Sequence, residues 1–144
     1  MSAALAQSAP LSRSAAIAPS SRGRLVGRIL SGLAIAFLTF DVALKLVPNK
    51  MALEATVGLG YQPHHVAIIG AIGLVCLILY VIPRTAPLGA ILWTGYLGGA
   101  IATNLRLDLP LFSHTLFPIY VAALIWGGLY LRDPRVRALV RPAR

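Results

Sequence analysis

The chain has 144 residues, of which 58% are apolar and 12% charged, with a formal net charge of +9. Soluble domains carry about 25% charged residues, so this composition excludes an ordinary soluble fold, which would lack the polar surface to cover itself. The positive balance does not indicate a nucleic-acid partner either, because Lys and Arg stand at the ends of apolar segments instead of being interleaved with polar and aromatic readers.

Residues 1–24 are rich in Ala, Ser and Pro, and their one apolar stretch, residues 15–18, is too short for the core of a cleavable signal. They read as a disordered basic cytoplasmic tail. A membrane domain over residues 25–132 follows, with spans at about 28–47, 66–82, 87–105 and 112–131, each close to the ~20 residues that a helix needs to cross ~30 Å of hydrocarbon. Pro48 and Asn49 stop the first span. Pro83 and Pro87 bracket a turn so tight that the second and third spans must form an antiparallel hairpin. Asp108 and Pro110 close the third, Pro118 is tolerated in the first turns of the fourth, and Asp133-Pro134 opens a basic tail over residues 133–144.

Ten of the thirteen Lys and Arg residues fall on one side of these spans: four before the first, Arg84 in the middle turn and five after the last. By the positive-inside rule that side is cytoplasmic. The predicted fold is therefore all-α, a four-transmembrane-helix bundle with both termini in the cytoplasm. Gly95, Gly99 and Thr103, with Gly98 and Ala102 beside them, and Ala123 with Gly127 form small-residue stripes, expected to be helix contacts. No repeat relates the first helix pair to the second, so the signature of many transporters is missing.

Asp41 and Lys45 are charges that a bilayer should exclude, at about 2.5–3.5 kcal/mol each on insertion scales. Four residues apart with the acid first, they are expected to pair on one helix face and to point into the bundle. Asn104 or Arg106 from the third span and His114 before the fourth reach the same outer end, which gives a candidate polar site of Asp41, Lys45, Asn104, Arg106 and His114. Glu54, His64 and His65 lie in the adjoining loop. Such a cluster could bind a polar head group, a quinone ring or a proton; the alternative is an ordinary charged interface. Cys76 and Tyr80, one turn apart, are expected to fill the core. The lone cysteine excludes an intrachain disulfide or CxxC pair. No metal-ligand spacing, phosphate loop, nucleophile elbow or hydrolytic acid pair is present, so neither a catalytic constellation nor a cofactor is assigned.

The stretch LYVIPRTAPLGAIL at residues 79–92, its continuation WTGYLGGAIAT at 93–103, and LIWGGLYLRDPR at 124–135 resemble the DoxX-like family of bacterial membrane proteins. Phe40-Asp41 with Lys45, and Gly58-Leu59-Gly60-Tyr61, are similar to it as well. The resemblance covers roughly residues 27–140. It implies a four-helix inner-membrane protein, related distantly to a subunit associated with thiosulfate oxidation to quinone and to complexes that handle oxidative stress; it supplies no catalytic residue. Three readings follow. The first is a membrane scaffold or subunit of a larger assembly, in redox or oxidative-stress physiology. The second is a quinone- or thiol-linked oxidoreductase component, and the third a small proton or metabolite transporter. The partners expected are the lipid bilayer, a protein partner or a second copy, and a quinone or other small lipophilic ligand, with no nucleic acid.

Overall fold

A computed structural model describes residues 21–47 and 49–140. They form α1 (Ser21–Leu46), α2 (Lys50–Gly58), α3 (Pro63–Val81), α4 (Ala86–Arg106), a π-helical turn (Leu111–Thr115), α5 (Phe117–Arg132) and α6 (Pro134–Val140), with no strand among the described residues. α1 begins at Ser21, so residues 21–24 of the expected tail are helical; residues 1–20 and 141–144 lie outside the described residues. α6 occupies most of the stretch read as a basic tail. The loop after α1 contains a helix that apolar run length does not reveal. Asn49 starts α2 by accepting a hydrogen bond from the Met51 amide at 2.9 Å, and Gly60 leaves it with φ +85°, a backbone state glycine adopts without strain.

Among the described residues three stretches are long and apolar enough to cross a membrane: Ser21–Leu46, Pro63–Val81 and Leu111–Arg132. α4 has 21 residues, sufficient length, but Thr94, Gly95, Tyr96, Gly98, Gly99, Thr103 and Asn104 dilute its apolar content and keep it out of that set. α1 packs on α3 and α5, and α4 packs on the same two helices, so the four long helices form a ring in which α1 faces α4 across the diagonal. Outward positions carry large apolar side chains, among them Leu33, Phe40, Ile72 and Ile91, each more than half exposed. That surface suits lipid.

One end of the ring is closed by backbone contact. A Cβ at Gly89 would lie 2.4 Å from the Tyr80 amide nitrogen, which locks α3 to α4, and Cβ atoms at Gly27 and Gly128 would strike α5 and α1 within 3 Å. Tyr80, fully buried, stitches this end by donating its hydroxyl to the Ile125 carbonyl at 3.0 Å, with Ser31 Oγ 3.4 Å from the same oxygen. Cys76 is buried in the same core. The stripe expected to mediate packing is placed otherwise: Gly95, Gly98 and Gly99 have nothing within 4 Å of where a Cβ would stand, and Gly127 meets only Leu30 at 3.9 Å. A repeat of small residues identifies a helix face but not what that face meets, and here the tight contacts belong to glycines outside the stripe.

Candidate functional site

At the opposite end the ring opens into a cavity of about 410 Å³ between the C-terminal turns of α1 and α4, roofed by the α2–α3 loop and the π-helical turn. Its inner wall is Leu38, Trp93, Tyr96, Leu97 and Val121. Trp93 is fully buried and meets Tyr96 edge to face, with ring centroids 4.9 Å apart. Phe37 and Phe117 meet similarly at 5.5 Å along one side.

Asp41 and Lys45 line this cavity, as an ion pair in which the ammonium donates to the carboxylate. Their spacing puts them on one face of α1, and α3 orients that face: Lys45 Cβ lies 3.0 Å from the position a Gly70 side chain would take, so α3 presses on the lysine stem. One ammonium proton is used by Asp41. The pair therefore keeps spare donors on Lys45 and acceptor capacity on Asp41 while remaining neutral as a unit.

Asn104 and His114 line the same cavity. The Asn104 amide donates to the His114 carbonyl at 2.8 Å, tying α4 to the π-helical turn, and the His114 Nδ1 lies 2.7 Å from Ser113 Oγ. Arg106 does not join them. Two residues beyond Asn104, it is rotated about 200° around α4; its guanidinium donates to the Leu59 carbonyl at 2.9 Å and lies against Gly60. It buttresses the roof from outside. Glu54, His64 and His65 are also absent from the lining. His65 Nδ1 accepts from the Gln62 amide at 3.2 Å, which starts α3. Among the described residues no group of three or more His, Cys, Asp or Glu is placed to hold a metal ion.

A contact invisible to local pattern completes the roof. Tyr61 Oη lies 2.7 Å from Thr103 Oγ1; because that hydroxyl already donates to the Gly99 carbonyl at 2.9 Å, the phenol is the donor. The two residues are 42 positions apart, and nothing in the spacing of either suggests the other. Chemically the site offers hydrogen-bond donors and acceptors above an aromatic and aliphatic floor. Ser113 and His114 pair a hydroxyl with an imidazole, but at the exposed rim, with no carboxylate hydrogen-bonded to the imidazole.

The sequence pattern of the DoxX-like family matches residues 29–128. The chain belongs to the DoxX-like family. The matched stretch contains every residue that lines the cavity, so the site is built within the DoxX-like part of the chain, and with the apolar helices it makes this a small membrane protein. No curated protein and no solved structure matches the chain.

Proposed function

We propose that this DoxX-like chain crosses the bacterial inner membrane four times with both termini in the cytoplasm, and serves a larger membrane assembly as the subunit that holds a small lipophilic molecule. The observation that carries this reading is the Asp41–Lys45 pair facing a cavity of about 410 Å³. Charges at this depth are costly unless something uses them, and the volume falls in the usual ~300–1,000 Å³ range of small-molecule sites. A neutral ion pair over an aromatic floor favours an uncharged molecule whose head both accepts and donates hydrogen bonds. A quinone and its quinol fit that description, which connects the site to redox physiology; electrons would come from a partner, since Cys76 is the chain's single cysteine.

Purification in mild detergent followed by organic extraction and mass spectrometry should recover a lipophilic compound in stoichiometric amount, and an added short-chain quinone should quench the fluorescence of Trp93. No retained compound together with no quenching, or quenching identical in Asp41→Asn and Lys45→Gln, would remove the reading.

A protein contact is favoured by a separate observation: Gly95 and Gly98 are exposed and have open space beside them. Small residues allow close helix approach in lipid, so the α4 face is where a partner helix or a second copy would seat. Gly95→Leu with Gly98→Leu should abolish comigration with that partner on native gels without changing monomer stability; unchanged comigration counts against it.

A further inference from the structure

The closed end of the bundle holds a cation that the described residues satisfy only in part. Arg132, the last residue of α5, has its Nε and Nη2 buried with no hydrogen-bond partner. Its guanidinium carbon stands 5.4 Å from the centroid of the Tyr80 ring, a favourable face contact that supplies no acceptor. Asp133 attracts Arg132 through its charge, but the hydrogen bonds at this end go to other arginines. Arg137 takes the Tyr130 and Leu131 carbonyls at 2.9 and 3.1 Å. Asp133, the one acid among the described residues at this end, gives both carboxylate oxygens to Arg135. The other three acids of the chain, Asp41, Glu54 and Asp108, belong to the opposite end.

α1 adds more positive charge here. Gly27 would place a Cβ 2.9 Å from the Arg132 amide nitrogen, so the two helices touch at this level. Arg24 stands one turn further along the same stripe as Gly27 and Ser31, with Arg28 one turn from Arg24, and both are exposed. Leu25, Val26, Leu139 and Val140, 47–80% exposed, flank this cationic end with apolar surface.

We propose that this end binds the phosphate of an anionic phospholipid headgroup, with Arg132 at the floor and Arg24 and Arg28 at the rim. Guanidinium nitrogens form charge-assisted hydrogen bonds to phosphate oxygens; Arg132 is only partly buried as a whole, and its Nη1, unlike Nε and Nη2, is not enclosed, so that nitrogen can meet an oxygen from the membrane surface. The flanking aliphatic residues, placed where acyl chains would run, identify the source as a lipid and not free phosphate. The inference is independent of the cavity at the other end.

Native mass spectrometry of the full chain released from nanodiscs containing phosphatidylglycerol and phosphatidylcholine tests it. Wild type should retain phosphatidylglycerol in preference to phosphatidylcholine, and Arg24→Gln with Arg28→Gln should reduce that retention roughly tenfold, as expected when charge-assisted bonds are lost. These two positions are exposed, so the variant should still fold; Arg132→Gln should show at least the same loss. Lys50→Gln with Arg106→Gln removes the same charge from the opposite end of the bundle and should leave retention unchanged. Equal retention of both lipids by wild type, or an equal loss in the Lys50/Arg106 variant, would show diffuse attraction and overturn the site. Displacement of the lipid by millimolar inorganic phosphate would overturn the lipid as its source.

Discussion

Lys45 shows how one side chain can be held by two helices. α1 supplies its charge partner one turn back, and α3 presses on its stem at Gly70. Removing either member of the Asp41–Lys45 pair leaves a poorly solvated charge, so Asp41→Ala and Lys45→Ala should each lower stability by about 1–3 kcal/mol, and the double variant by less than either; thermal unfolding in detergent reads all three. Strictly additive losses would mean that the two charges act separately. Outside the spans, Arg135 hydrogen-bonds the Asp133 carboxylate and holds its pKa below the usual carboxylate range against the opposing effect of burial. The stabilisation this gives is complete above the unfolded-state value of ~4 and disappears as pH falls through the lower folded-state value. Asp133→Asn should therefore unfold at a lower temperature than wild type at neutral pH, with the gap closing in acid; a gap that persists at the lowest pH would remove the carboxylate as its cause. The Asp41–Lys45 pairing was legible because both residues share one helix and four positions suffice to define a face. Tyr61 with Thr103, and Tyr80 with Ser31 and Ile125, depend on how helices are brought together, which a single sequence does not encode locally.

The glycines divide the helices into surfaces that touch and surfaces that do not. At Gly89 an added methyl meets the Tyr80 backbone, which cannot move aside, so Gly89→Ala should cost about 1–3 kcal/mol. Gly95→Ala meets nothing and gains helix propensity, so its stability should be unchanged or raised by up to ~1 kcal/mol. Chemical denaturation of both variants in one detergent gives the comparison, and a Gly89→Ala protein as stable as wild type would show that the α3–α4 contact is loose. The long helices and their proline-bounded turns were readable from apolar run length and from residues that cannot continue a helix. α2 was not, because its nine residues carry no long apolar run; its one local signal is Asn49 as a cap. The glycine face of α4 was recognised as a face, but the tight contacts within the chain belong to other glycines, since periodicity gives direction around a helix axis and no information about the helix opposite.

For the whole molecule, the asymmetry of basic residues and the alternation of the long helices predict a definite labelling pattern. In a Cys76→Ala background, Ala52→Cys on α2 should react with an impermeant maleimide from the outer side of intact spheroplasts, and Ala138→Cys on α6 only after permeabilisation. The reverse result would invert the orientation proposed for the chain. The ring also has unequal ends: one is sealed where Tyr80, Gly27, Gly89 and Gly128 bring four helices into contact, and the other holds the cavity. In the proposed four-span arrangement that seal would bar passage, so a guest entering at the open end would leave toward the same leaflet, and the bundle would serve as a one-sided receptacle and not as a corridor through the membrane.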